Sequence, residues 1–127
     1  MTYIQSYKDL IVWQKAMALA KEIFEITQDF PKSEIYGLVS QMRRAVVSIP
    51  SNIAEGYGRG SRKEYGQFLL IAYGSGLELE TQLILSKDLD FITTDKYLLI
   101  NNLLVEVLKM LNSIKRKLKI SALESKR

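Results

Sequence analysis

The chain contains neither cysteine nor histidine. The first absence removes disulfides, a thiolate nucleophile and sulfur-ligated zinc; the second removes every mechanism that needs an imidazole base. A di-metal centre of the bundle type also lacks its Glu-x-x-His pairs, although Glu25, Glu55, Glu78, Glu80 and Glu106 are present. No uninterrupted apolar run of about eighteen residues occurs, and Met1 to Ser6 lacks the basic-then-apolar order of a secretory leader. The expectation is a soluble, cytoplasmic protein with no membrane partner. Only two prolines punctuate the 127 residues.

Apolar residues make up 47% of the chain and charged residues 25%, enough for one globular domain over residues 1–127. A net charge of +4 and a pI near 9.3 lean toward an acidic partner.

The most informative stretch runs from Arg43 through Pro50 to Gly60. It predicts a helix with an internal proline, a glycine-rich stop and a restart. Pro50 lacks an N–H and crowds the carbonyl of Val46, which costs roughly 3 kcal/mol in a helix interior. The helix is expected to bend there, with Ser48, Ser51 and Asn52 compensating through side-chain bonds to freed backbone groups. Gly56, Gly58 and Gly60 are expected to supply left-handed conformations at the stop. Ser61 with Glu64 forms a capping box for the next helix.

Periodicity predicts four helices, at about 8–29, 34–57, 62–86 and 94–119. In the first, capped by Ser6, two apolar seams run side by side. Leu10, Trp13, Met17, Ala20 and Phe24 form one; Val12, Ala16, Leu19, Ile23, Ile26 and Phe30 form the other. Phe30-Pro31 breaks the chain and Ser33 restarts it. The second helix turns Leu38, Met42, Ala45, Val46, Ile49 and Ile53 inward. Gln41, Arg44, Ser48, Asn52 and Glu55 make a polar stripe, either solvated or a contact face. The third carries Phe68, Ala72, Leu79 and Leu83 inward, and its Gly66, Gly74 and Gly76 suggest close approach of another backbone. The fourth, capped by Thr93 or Thr94, has the cleanest repeat: Tyr97, Ile100, Leu104, Val107, Leu111, Ile114 and Leu118. Past Ile120 the polar tail is expected to fray. The predicted fold class is all-α, an up-down-up-down four-helix bundle with helix two kinked at Pro50.

Alternating directions would gather Lys8, Arg59, Arg62, Lys63, Lys115, Arg116, Lys117 and Lys119 at one pole, against only Asp9, Glu55 and Glu64. The opposite pole holds Lys32, Lys87 and Lys96 against Asp29, Glu34, Asp88, Asp90 and Asp95. Cations favour helix C-termini, which explains those of helix four. Arg62 and Lys63 begin a helix, where a cation is disfavoured. A solvated basic surface and a polyanion site both remain open, and the candidate phosphate contacts are Arg59, Arg62, Lys63, Lys115, Arg116 and Lys119. Arg43 and Arg44 could instead pair across a subunit interface.

Other chemistry finds little support. Ser48, Ser51 and Ser75 have no evident general base. Gly-Tyr-Gly-Arg-Gly-Ser follows a helix rather than a strand and lacks Walker spacing, so it reads as a turn. Tyr57 and Tyr65 could stack on bases or simply edge the core. Asn52 and Glu55 have local explanations, the proline repair and an i,i+4 pair with Arg59. Neither catalytic residues nor a cofactor nor a metal is expected.

Tyr7-Lys-Asp-Leu-Ile-Val-Trp13-Gln-Lys-Ala, Phe30-Pro31, Gln41-Met-Arg43-Arg44-Ala, Ser48-Ile-Pro50-Ser-Asn52-Ile-Ala-Glu55-Gly56 and Gly74-Ser75-Gly76-Leu-Glu78-Leu-Glu-Thr-Gln82-Leu together resemble a known family. It is the bacterial four-helix bundle proteins named for intervening sequences in 23S rRNA genes, some of them labelled ribosomal proteins. The resemblance covers about residues 5 to 118. It implies an all-α bundle assembling as a ring-shaped homopentamer. The accessory factor of diversity-generating retroelements is similar, a basic pentamer that binds nucleic acid and a reverse transcriptase. What the resemblance implies for function is an oligomer binding RNA or DNA non-specifically, or else a scaffold for a protein client. It brings no catalytic residues.

Overall fold

The computed structural model describes residues 3–125, with side chains through Lys119. Four α-helices carry the fold: α1 Ile11–Thr27, α2 Ser40–Tyr57, α3 Arg62–Asp88 and α4 Thr94–Ser125. No strand occurs among the described residues, so the fold is all-α.

Two starts and one end differ from expectation. Ser6 caps a single 3-10 turn, Tyr7–Asp9, in a full capping box with Asp9. Leu10 is then extended (φ −71°, ψ 125°), so α1 begins at Ile11 rather than near residue 8. The second helix, predicted from residue 34, opens as a 3-10 turn at Lys32–Glu34 and a wide π-type turn at Ile35–Val39 before α2 proper. Gly37 sits in that turn at φ −110°, ψ −110°, outside the helical region. At the other end, helical backbone continues past residue 119 to Ser125; Lys126 and Arg127, part of the expected frayed tail, lie outside the described residues.

Contacts fix the relative directions. Met42 meets Ser86, Ser48 meets Ser75 and Gly56 meets Phe68, so numbers rise along α2 as they fall along α3. Lys87 covers the Tyr97 ring, Gly76 faces Leu108 and Tyr73 reaches Asn112, which sets α3 and α4 antiparallel. Between α1 and α4, Lys15 pairs with Glu106 at 2.7 Å. Arg43 ties the start of α2 to the end of α1, donating to the Thr27 hydroxyl at 3.0 Å and the Phe24 carbonyl at 3.3 Å, its guanidinium 4.8 Å from the Phe24 ring.

One core results. Val12, Ala16, Leu19 and Ile23 of α1, the expected inward residues of α2, and Ile100, Leu104, Val107 and Leu111 of α4 are all buried. Of the two α1 seams, the one through Leu19 is inside; Trp13 is half-buried and Phe24 is exposed.

The glycines divide by role. Only Gly60 takes a positive φ, +84°, whereas Gly58 caps α2 in the right-handed region and Gly56 lies inside it. Gly56 is required for packing, since a Cβ there would stand 2.5 Å from Phe68 Cβ. Gly76 makes a similar approach to the Leu108 side chain, while Gly66 and Gly74 face open space. The repair expected at Pro50 also takes a different form. Asn52 donates to the Ser48 carbonyl at 2.8 Å and to the Ser48 hydroxyl, not to the Val46 carbonyl that the proline leaves without its donor. Ser48 in turn bonds Ser75 at 2.8 Å, so this network locks α2 to α3.

Helices α3 and α4 carry more apolar surface than one core absorbs. By length and composition alone both could cross a bilayer, yet each buries a face in the bundle. On α3 the surplus is Leu70, Ile71, Leu77, Ile84 and Leu85, and on α4 Leu98 and Leu99, all exposed.

Candidate nucleic-acid interface

Because α3 and α4 are antiparallel, the first turns of α3 lie beside the last described turns of α4. Ser61 sets where α3 begins: its backbone is extended and its hydroxyl accepts from the Glu64 N–H at 3.2 Å. Glu64 answers only in part, accepting from the Ser61 hydroxyl at 3.3 Å. Arg62 and Lys63 therefore project from the first turn of α3, where the helix dipole is positive and a cation is disfavoured.

Across from them the α4 repeat turns Leu118 toward the core and leaves Lys115 and Lys119 flanking it. Together Arg62, Lys63, Lys115 and Lys119 line an open cleft of about 560 Å³ between the two helices, with Gln67. Its floor is apolar: Gly66, Leu70 and Leu118. Lys115 is placed by a cation–π contact, 5.8 Å from the centre of the Tyr73 ring. The Tyr73 hydroxyl in turn accepts from Asn112 at 3.4 Å. Asn112, Lys115, Arg116 and Lys119 bound a second, shallower depression of about 290 Å³ around the side of α4. Among the described residues, neither concavity is lined by a carboxylate.

Of the six expected phosphate contacts, Arg62, Lys63, Lys115 and Lys119 thus share one cleft, and Arg116 joins through the adjoining depression. Arg59 stands apart. It pairs with Glu55 at 3.1 Å on the same helix and lies 5.0 Å from the Phe68 ring. Lys117 faces the other way, into an apolar groove between α4 and the start of α1.

Sequence reasoning missed the floor. The periodic reading puts Leu118 in the apolar line of α4 and Gly66 at a close backbone approach. Leu70 carried a usable signal, since Leu70, Leu77 and Ile84 repeat every seven residues on a helix already provided with its core line on another face. Tyr57 and Tyr65 pack edge-to-face on each other, ring centres 5.9 Å apart, so they edge the core. Burial foremost, then Tyr57, raises the Tyr65 phenol above its ordinary value.

The family model of the 23S rRNA-intervening sequence proteins matches residues 8–113. The chain belongs to that family. A solved relative is a protein of unknown function from the S23 ribosomal protein family of Bacteroides thetaiotaomicron, 29% identical, with a TM-score of 0.75. The likeness covers 83% of this chain and 98% of the relative. No curated protein matches the chain. Neither the family description nor the solved relative indicates a catalytic activity. Within this intervening-sequence protein, Arg62 and Lys63 fall inside the matched span, whereas Lys115, Arg116 and Lys119 lie beyond it.

Proposed function

We propose that this protein is a non-enzymatic, oligomeric bundle that binds RNA or DNA through backbone phosphates with little base specificity. The observation that carries this reading is the convergence of Arg62, Lys63, Lys115 and Lys119 from two helices on one cleft. Four like charges held together repel one another, and those of α3 also oppose the helix dipole. A polyanion relieves both. The exposed aliphatic face of α3 supports self-association, including the homopentamer expected from the family. That same face supports the alternative, a scaffold for a protein client with no nucleic-acid role.

Salt separates the two. Neutralising four phosphates gives a logarithmic salt slope of about −3.6 on duplex and about −2.8 on a single strand. Affinity should then fall roughly 50- to 150-fold between about 50 and about 200 mM salt. Gel-shift titration at those two concentrations reads the effect. The double variant Arg62→Glu with Lys63→Glu should abolish binding and leave the oligomer intact by light scattering. Binding equal to the wild type would remove these residues from the site.

A further inference from the structure

The cleft combines charge with something a phosphate does not need. Between its two rows of cations lies the aliphatic floor of Gly66, Leu70 and Leu118. Leu70 is 55% exposed there, and nothing stands within 4 Å of where a Gly66 Cβ would be. A duplex presents phosphates and sugars outward and keeps its bases stacked inside, so a duplex lying across the cations would leave this floor wet. A single strand can turn a base aside while its neighbouring phosphates stay on the rim.

Resting on the reading of this cleft as a phosphate site, we infer that it is a single-strand site: Arg62 and Lys63 on one rim and Lys115 and Lys119 on the other hold consecutive phosphates, and one unpaired base lies against Leu70 and Leu118. The volume of about 560 Å³ is that of a small-ligand pocket and accommodates a nucleoside. Among the described residues no aromatic side chain lines the cleft, and Tyr73 nearby already carries Lys115 over its ring. The base is therefore held by apolar contact with its face rather than by an aromatic platform, and no group among the lining residues besides Gln67 and the cations reads its edge. All four bases should be accepted alike. The preferred substrate class is a single-stranded or looped segment, not a regular helix.

The test compares a single strand and a duplex of equal length and mixed sequence by fluorescence anisotropy, using the full chain. The single strand should bind about fivefold tighter, the effect of removing roughly 40 Å² of apolar floor from water, although the duplex carries more charge. Two variants remove the floor without touching a cation. Leu70→Asn makes it polar at an exposed position, and Gly66→Leu fills it where a side chain has room and helix propensity improves. Each should erase the preference for the single strand and keep duplex affinity and its salt slope. Equal binding of both probes by the wild type, or a preference that survives both variants, overturns the single-strand assignment and leaves the phosphate reading standing. Failure of both probes to bind at about 50 mM salt overturns the phosphate reading itself.

Discussion

Substitution of Gly56 by alanine is the sharpest probe of how α2 and α3 are held. In an isolated helix the change is favourable by about 1 kcal/mol. Here the added Cβ would stand 2.5 Å from Phe68 Cβ, where ordinary contact begins near 3.4 Å. Relief of about 0.9 Å is needed, and a Cβ is fixed to its backbone, so the helices themselves must separate. Separation strains the 2.8 Å Ser48–Ser75 bond two turns away. Overpacking of this kind costs about 1–3 kcal/mol. Adding the loss of that bond, about 1 kcal/mol, and subtracting the propensity gain leaves a net destabilisation of roughly 1–3 kcal/mol. The melting temperature should fall by about 5–10 °C, read by circular dichroism with urea titration as a second measure. Gly66→Ala is the internal control, because its Cβ meets nothing and the same propensity gain should stabilise by up to about 1 kcal/mol. A Gly56→Ala protein as stable as the wild type would refute the close approach of α2 to α3.

Other outcomes follow from the same contacts. Arg43→Met should destabilise by about 1–2 kcal/mol, since Thr27 and the Phe24 carbonyl lose a charged donor; chemical denaturation checks it. Arg59→Gln should leave nucleic-acid affinity within about twofold in a gel shift, because that guanidinium is already paired with Glu55. Replacing Leu77 and Ile84 together by glutamate should shift the protein to smaller species in light scattering while far-ultraviolet dichroism is unchanged, both side chains being exposed in the single chain. With Tyr65 held above its ordinary value of 10.0, the unfolded chain gives up that proton first. Its contribution is complete below about pH 10 and is lost as pH rises above it, so melting temperature should drop as pH is raised past about 10, less steeply in Tyr65→Phe.

The helices and their inward faces were legible because burial imposes a period that side-chain chemistry reveals directly. Every inward residue expected of α2 is buried. Where competing local chemistry enters, the pattern is silent. Leu10 fits the first apolar seam perfectly well and still breaks the helix, because Ser6 and Asp9 close a tighter turn just before it. Gly37 permits a wide turn that no apolar period records. Three clustered glycines looked alike, yet only Gly60 uses its torsional freedom and Gly56 uses its missing side chain. The cations of the cleft were visible from helix order, and so was the i,i+4 pair of Glu55 with Arg59, but only the structure adds Phe68 beside that guanidinium and places it outside the cleft. Leu118 was the illegible part of the floor, because it counts as core in any periodic reading and only tertiary geometry places it in the cleft lining.

The surplus apolar surface of α3 explains why the cleft can exist at all. A helix that needed only to fill the core would place polar residues at positions 70, 77 and 84, and the groove beside α4 would be uniformly hydrophilic. Instead α3 buries Leu69, Ala72, Leu79 and Leu83 and still presents Leu70, Leu77 and Ile84 on another face. That second face begins inside the basic pole, at Leu70, and runs away from it toward the acidic end. One helix thereby supplies both the floor under the cations and the aliphatic strip available for another copy of the chain. If copies associate along Leu77 and Ile84 as proposed, one assembly carries several clefts. Avidity along a single strand would then grow with the number of copies. The Leu77 and Ile84 double variant should accordingly weaken binding to long single strands much more than to short ones, since each separate cleft keeps all four of its cations.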